Sequence, residues 1–355
     1  MRNKLFILSA ALIVASMVLA ACGAPATPAP TQAPEPTEAP KATDVPTVAP
    51  TADPMAMYLP EAVTGDIVTA GSSTVFPLSE RMAEVFKNEG FTSNITIDSI
   101  GTGGGFERFC KTGETDIANA SRKIKDSEKE SCAALATPRD PLAFRVGTDA
   151  IALVVNKDNA FLKDVTLEQL ALIFSTAEKW SDVDLSWPAE PILRYSPGTD
   201  SGTFDYFVEA VMAPANKNAD GKADVALGEA AILGAQNIQF SEDDNVLVQG
   251  VEGSPYAIGY FGFAYFQENK DKLSALSLGG VAPTEVTAES GDYKLSRPLF
   301  IYSDANIMQS KPQVAAFIKF YLDNVSNEIL DVGYFPASEA AIQEALQTWY
   351  VAVGK

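Results

Sequence analysis

Residues 66–78, DIVTAGSSTVFPL, combine a short β-like run, a turn rich in hydroxyl side chains and the start of a helix. In the helix that follows, Leu78, Met82 and Phe86 recur at the spacing of one helical face. Gly90 ends this pattern, as glycine commonly does just beyond a helix. The same order of strand, turn and helix returns along the chain, and it predicts an α/β fold.

Two more turns have the same composition and the same place between a strand and a helix. GTGGG at residues 101–105 follows the alternating run NITIDSI, and TDSGT at residues 199–203 follows PILRYS. In open α/β sheets such turns lie at the carboxyl ends of strands, where ligands bind. A helix N-terminus offers free N–H groups and the positive end of a dipole. One such turn is more often a plain helix cap, but three on one chain predict a site for a small oxyanion.

Two long β runs indicate how the chain is divided. AFRVGTDAIALVVN at residues 143–156 and KLSRPLFIYS at residues 294–303 are each long enough to cross from one lobe to another. We therefore predict two α/β lobes with the ligand cleft between them. Lobe 1 is expected to contain residues 59–146 and 296–355, and lobe 2 residues 147–295.

The first residues have the pattern of a secretory signal peptide. Arg2 and Lys4 precede an apolar run, and the sequence LAAC ends at Cys22. This pattern predicts that residues 1–21 are removed and that Cys22 is lipidated; a plain signal peptide or an uncleaved anchor is the alternative. Residues 22–58 are rich in Ala, Pro and Thr and poor in large apolar side chains, so they cannot bury enough surface to fold. They are predicted to form an extended tether to the membrane.

Charge and composition exclude several classes of function. The net charge of −20 makes nucleic acid and anionic lipid surfaces poor partners. The chain contains no histidine, which excludes Ser-His-Asp and Cys-His catalysis and histidine metal sites. We therefore expect no metal, no cofactor and no enzymatic activity. Cys110 and Cys132 are the two cysteines after Cys22. An isolated pair in an exported protein usually forms a disulfide, with two buried thiols as the alternative.

Five stretches together resemble a known family. They are GSSTVFPL, SIGTGGGFERFCKTGETDIANASR, VGTDAIALVVN, YSPGTDSGTFDYF and VEGSPYAIGYFGFAYF. In this order they resemble the phosphate-binding lipoproteins of bacterial phosphate ABC transporters. The resemblance implies a type II periplasmic-binding-protein fold that closes on one inorganic phosphate. It also implies an extracytoplasmic, lipid-anchored protein, expected to be a monomer, that delivers phosphate to permease subunits. The cysteine pair resembles a bridge in this branch of the family.

Carried over by position, the resemblance implies a set of phosphate ligands from the three turns and the third strand. They are Ser73, Thr74, the Val75 amide, Thr102, Ser121, Ser201, Gly202 and Thr203. Two charged residues of the best-known members have no counterpart in this chain. Those members have Asp where Ser121 stands, and they have Arg where this chain has Pro197.

The charged partners of the ligand therefore have to be reassigned. Arg122 is the candidate cation, because an arginine beside Ser121 would donate charge-assisted hydrogen bonds. Asp149 is the candidate carboxylate, because it could accept the single proton of HPO₄²⁻, a group that sulfate lacks. Alternatives for the cation are Arg145 and Arg194. Alternatives for the carboxylate are Glu107 and Asp200.

Three other functions stay open from the sequence. One is a secreted phosphatase-like hydrolase on the same fold, although the missing histidine and the lack of an obvious metal cluster weigh against it. Another is a surface lipoprotein that binds phosphate only to sense it. The third is a transport receptor for a different oxyanion, such as sulfate or molybdate.

Overall fold

The computed structural model describes residues 55–355, and the predicted signal peptide, the lipidation site at Cys22 and the tether up to residue 54 lie outside the described residues. The strands are β1 (Ile67–Gly71), β2 (Ile95–Ser99), β3 (Ile117–Ala120), β4 (Leu142–Asn156), β5 (Asp164–Val165), β6 (Leu193–Pro197), β7 (Ile238–Ser241), β8 (Ala257–Gly262), β9 (Leu273–Ala275), β10 (Ser277–Leu278), β11 (Ser296–Ser303) and β12 (Phe335–Pro336).

The α-helices alternate with these strands. They are α1 (Val75–Asn88), α2 (Gly101–Glu107), α3 (Asp126–Ala133), α4 (Leu167–Ile173), α5 (Gly202–Phe207), α6 (Ala213–Ala215), α7 (Val225–Leu233), α8 (Asp244–Glu252), α9 (Phe263–Glu268), α10 (Glu285–Ser290), α11 (Ala305–Ser310), α12 (Pro312–Glu328) and α13 (Glu339–Ala352). Two π-helical segments, Arg108–Thr112 and Val208–Met212, continue α2 and α5. Within residues 55–355 no helix is both long and apolar enough to cross a membrane.

The large sheet has the strand order β2-β1-β3-β11-β4-β8-β6-β7. We call β2, β1, β3, β11 and the start of β4 the first sheet half, and the end of β4 with β8, β6 and β7 the second sheet half. β1 is parallel to both β2 and β3, and β6 is parallel to both β7 and β8. β4 belongs to both halves, because residues 142–150 pair with β11 and residues 151–155 pair with β8.

Each sheet half has its own hydrophobic core. In the first half, α1, α12 and α13 cover the sheet with residues such as Phe86, Phe317 and Trp349. In the second half, the ring of Phe207 stacks on Tyr260 with centroids 4.0 Å apart. β4 joins the two cores as the first β run predicts, whereas β11, formed by the second run, pairs within residues 55–355 only with β3 and with residues 142–150 of β4 in the first sheet half.

Three helices begin at the carboxyl ends of parallel strands. α1 follows β1, α2 follows β2 and α5 follows β6. The prediction of a turn at residues 101–105 was wrong in one respect, because these glycines form the start of α2 itself. A Cβ atom on Gly105 would lie 2.5 Å from the Cα atom of Gly71, so the missing side chains let α2 lie directly against β1.

Cys110 and Cys132 form the predicted disulfide bond, which links the π-helical segment after α2 to α3. Both residues are buried beside Phe106 and Tyr302. The two cysteines are separated by 22 positions, and closing a loop of this size should stabilise the fold by ~3 kcal/mol. We expect urea unfolding with and without reductant to differ by about this amount. Thiol labelling of Cys110 and Cys132 in the native protein would contradict the pairing.

Candidate functional site

Arg297 on β11 lies where three chain segments meet. Its Nε donates a hydrogen bond to Oδ2 of Asp149 at 3.0 Å. Its Nη2 donates to the carbonyl oxygen of Gly202 at 3.1 Å and also to the hydroxyl of Thr74. The guanidinium group lies 3.8 Å from the ring centroid of Tyr206. Arg297 therefore connects the segment before α1, strand β4 and the start of α5.

Asp149 is the buried counter-ion of Arg297. It is 0% exposed, and burial raises its pKa against the opposing effect of Arg297. Its Oδ1 atom has no hydrogen-bond partner among the residues that the structure describes. A buried pair of this kind is costly to break, because removing one partner leaves an uncompensated charge.

A cavity of about 390 Å³ lies against the outer side of Arg297. In its lining, the hydroxyls of Thr102 and Ser121 lie 3.1 Å apart, and the Ser121 amide donates to the Thr102 hydroxyl. The lining consists of glycines, hydroxyls, two arginines, Tyr206, Ala210 and one carboxylate. Its members are Gly101, Thr102, Gly103, Ser121, Arg122, Tyr206, Glu209, Ala210 and Arg297. Hydroxyls, arginines and the start of a helix are groups that bind an oxyanion.

The two arginines of this cavity differ in how many of their hydrogen-bond donors remain free for a ligand. Arg122 gives both terminal nitrogens to Glu128, at 2.9 and 2.7 Å. Burial alone would raise the pKa of Glu128, but the hydrogen bonds from Arg122 and the Lys125 amide outweigh it, and the pKa is lowered. Among residues 55–355, Arg297 has only Glu209 near Nη1, at 3.6 Å, which is too long for a hydrogen bond. The planar fork of Arg122 is therefore already used, whereas one nitrogen of Arg297 is available to a ligand.

The first and third hydroxyl-rich turns lie against each other. Ser73 donates a hydrogen bond to Oδ2 of Asp205 at 2.9 Å, which joins the turn before α1 to α5. A Cβ atom on Gly202 would lie 3.1 Å from the Cα atom of Thr74, so glycine allows this close approach. The two sheet halves are therefore in contact beside Arg297, and the structure has a closed cleft at this point.

Other predicted ligands already have partners within their own turns. The amide of Val75 donates to the hydroxyl of Ser72 at 3.4 Å, and Val75 is buried. The amide of Thr203 donates to the hydroxyl of Ser201 at 3.2 Å, so Ser201 is the N-cap of α5. These contacts are the helix caps that hydroxyl-rich turns usually provide.

A second, larger cavity of about 900 Å³ opens beside the third turn. Ser73, Ser201 and Thr203 line one side of it. All five charged residues that line it are acidic: Asp200, Glu242, Asp244, Glu268 and Asp331. Burial and the neighbouring Asp243 and Glu242 raise the pKa of Asp244 to about 6. Within residues 55–355 no cluster of Cys, Asp or Glu is arranged to hold a metal ion.

The alternative charged residues lie in other surroundings. Arg194 is buried in the second sheet half and donates to backbone carbonyls. Arg145 pairs with Glu289, and Glu107 pairs with Lys111 at the surface. Asp200 lines the larger cavity.

Arg297 was not among the predicted site residues. It is the one charged residue of SRPLFIYS, the part of the second long β run that forms β11. A lone charge in a strand that is expected to be buried needs a buried partner. This signal was available, and Asp149 on β4 is the partner.

Two α/β halves joined through one shared strand, with a buried arginine and a hydroxyl-lined cavity where the halves meet, define a class of two-lobed binding protein. The chain belongs to the PBP superfamily, because the model of the PBP superfamily domain matches residues 36–325. The predicted α/β periplasmic-binding-protein fold is confirmed.

Relatives and solved structures are consistent with this membership. Protein SphX of Synechococcus elongatus is 42% identical over 295 residues, covering 79% of this chain and 80% of its own length. The phosphate-binding protein PstS of Staphylococcus saprophyticus is 36% identical over 276 residues, covering 76% of this chain and 80% of its own. The crystal structure of a possible phosphate binding protein from Planctomyces limnophilus superposes with a TM-score of 0.72 at 36% identity. It covers 82% of this chain and 99% of that one.

Proposed function

We propose that this protein is an extracytoplasmic receptor that binds inorganic phosphate and delivers it to the permease of an ABC transporter. The observation that carries the proposal is the cavity at Arg297, where a desolvated cation meets the hydroxyls of Thr102 and Ser121. A relative named as a phosphate-binding protein, 36% identical over most of both chains, supports phosphate as the ligand.

We propose the following ligand set. Arg297 is the principal cation, and Thr102 and Ser121, which line the same cavity, donate their hydroxyls. Arg122 contributes charge from the rim of the cavity, and its effect is reduced by Glu128. Thr74 positions Arg297 through their hydrogen bond.

Asp149 has a different part in this proposal. Its Oδ2 holds Arg297. Asp149 does not itself line the cavity at Arg297, so its Oδ1 would accept a ligand proton only if the wall formed by Arg297 rearranges when phosphate enters. Ser73, Val75 and the third turn with Ser201, Gly202 and Thr203 act as further ligands if their present contacts rearrange when phosphate enters.

The proposal also includes the membrane anchor of the receptor and the boundaries of its two lobes. Cys22 carries the lipid anchor, and the residues after it form the tether to the cell membrane. The tether ends before its predicted boundary at residue 58, because Tyr58 lies in the helical turn Ala56–Tyr58 and packs on Trp349 with ring centroids 4.9 Å apart. Lobe 1 consists of residues 59–146 and 296–355, and lobe 2 of residues 147–295. The division of the hydrophobic cores between the two sheet halves supports these boundaries.

Phosphate is expected to bind in a one-to-one complex and to stabilise the folded state by mass action. At a phosphate concentration about a hundred times the dissociation constant, the gain is ~2.7 kcal/mol. Calorimetric titration of ligand-free protein with phosphate, arsenate and sulfate measures both affinity and selectivity. An unchanged melting temperature in millimolar phosphate would contradict the receptor proposal, and turnover of a phosphomonoester would favour the hydrolase instead.

A further inference from the structure

Strand β4 contains a β-bulge in the part that pairs with β11 in the first sheet half, five residues before its pairing with β8 begins at Ile151. Gly147 pairs with Leu299, but Arg145 pairs with Phe300. Val146 is therefore an extra residue in β4 with no partner in β11. A bulge of this kind interrupts the ladder, bends the strand and increases its local twist. The strand shared by both halves is thus least regular three residues before Asp149.

The side chain of Arg145 spans this bulge. Its Nε donates to the carbonyl oxygen of Gly147 at 2.8 Å, and its Nη2 donates to the hydroxyl of Thr148 at 2.6 Å. The same Nη2 donates to Oε2 of Glu289 at 2.8 Å. Arg145 therefore fixes the backbone on the far side of the irregularity instead of pointing into solvent.

Glu289 connects the bulge to both sheet halves. It lies on α10, whose neighbouring residue Ala288 packs in a core of the second half. Its Oε2 accepts from the Thr148 hydroxyl as well as from Arg145. Its Oε1 accepts from the amide of Ser338 at 3.2 Å, at the start of α13. α13 packs in the core of the first half.

The cluster of Arg145, Thr148 and Glu289 lies beside the residues that hold the cleft, so it can affect cleft closure. Thr148 precedes Asp149 in β4, and Asp149 holds Arg297. The cluster lies in a structure whose cleft is closed at Ser73 and Asp205. A network that joins both halves and the bulged strand in the closed form stabilises that form relative to one in which the halves separate.

We propose that Arg145 and Glu289 form a hinge lock. Together they hold the β4 bulge in its closed-cleft geometry and keep Asp149 and Arg297 in position for the ligand. The effect on phosphate rests on the proposed receptor function, while the effect on cleft opening does not. A protein whose closed state is less populated binds its ligand more weakly by the same factor.

The test uses Glu289→Ala, Arg145→Met and the double variant. We expect each single variant to weaken phosphate binding about fivefold or more, a typical size for coupling between sites. The double variant should bind phosphate as tightly as the single variant with the lower affinity, because both changes remove the same interaction. Calorimetry gives the dissociation constant, and X-ray scattering gives the radius of gyration. At saturating phosphate, Glu289→Ala and the wild type should have the same radius of gyration. Without ligand, Glu289→Ala should have a larger radius of gyration than the wild type.

The control is Arg81→Met, which removes an arginine–glutamate pair with Glu328 within the first sheet half. It should leave the dissociation constant and the radius unchanged. Melting temperatures alone do not decide the matter, since every one of these changes can lower them. If wild type binds phosphate and the hinge variants keep its affinity, the hinge inference is wrong and the receptor proposal stands. If wild type does not bind phosphate, the receptor proposal is wrong, and equal ligand-free radii would overturn the hinge inference separately.

Discussion

The double variant Asp149→Asn, Arg297→Met is expected to bind phosphate about a hundredfold more weakly than the wild type, or worse. Phosphate in the cavity has lost its water, and hydroxyls and helix ends supply only partial charges. A hydrogen bond from a charged group contributes ~1.5–3 kcal/mol net, and each ~1.4 kcal/mol is a factor of ten in affinity. Both residues are changed together because removing Arg297 alone would leave Asp149 buried without its counter-ion.

Two further variants separate the contributions of the two arginines. Arg297→Lys keeps the charge but loses the planar fork that reaches Asp149, Thr74 and Gly202 at once, so it should recover only part of the affinity. Arg122→Ala should cost about tenfold, because Glu128 already compensates its charge. Lys125→Ala, a control in the same acidic and basic run, should be near neutral. If Arg122→Ala abolishes binding while the double variant keeps it, the assignment of the principal cation is reversed.

Local sequence signals were sufficient for the architecture. The turns at residues 71–74 and 199–203 were placed correctly between a strand and a helix, since the caps and the apolar spacing lie within a few residues of one another, whereas residues 101–105 belong to α2 itself. Thr166, for example, stands directly before the apolar spacing of LEQLALI, and its hydroxyl caps α4 by accepting the amide of Gln169 at 3.2 Å. The stretch YAIGYFGFAYF is apolar throughout, yet β8 ends at Gly262 and the helix α9 follows. Continuous apolar composition does not distinguish a buried strand from a buried helix.

The partners within the site depend on strand register and long-range packing. Arg297 is 148 positions from Asp149 and 223 from Thr74, and no local pattern sets such distances. The contact of Arg122 with Glu128 is short in sequence, yet the run that contains them has the composition of a solvated surface. Its structure depends on the turn before α3, which brings the Glu128 carboxylate back to the Lys125 amide at 2.8 Å.

Arg194→Met is expected to lower the free energy of unfolding by about 3 kcal/mol or more while leaving phosphate affinity unchanged. Arg194 is 0% exposed, and burial lowers its pKa to about 10. It donates to the carbonyl oxygens of Ile173 and Ala177, and to that of Gln236 at 2.5 Å. Ile173 is the last residue of α4, Ala177 lies in the loop after it and Gln236 precedes β7. One side chain therefore supplies donors to carbonyl groups at a helix end and in two loops.

Methionine fills a similar volume but donates no hydrogen bond, so buried carbonyls are left unsatisfied at ~1–3 kcal/mol each. Urea unfolding followed by circular dichroism measures the loss. Arg108→Met is the matched control, because Arg108 pairs with Asp98 at a side-chain exposure of 38%, and exposed pairs contribute at most ~1 kcal/mol. Since Arg194 does not line the cavity at Arg297, its loss should affect the fold of the second sheet half and not the site. A variant that is as stable as the wild type but binds phosphate poorly would instead place Arg194 at the ligand.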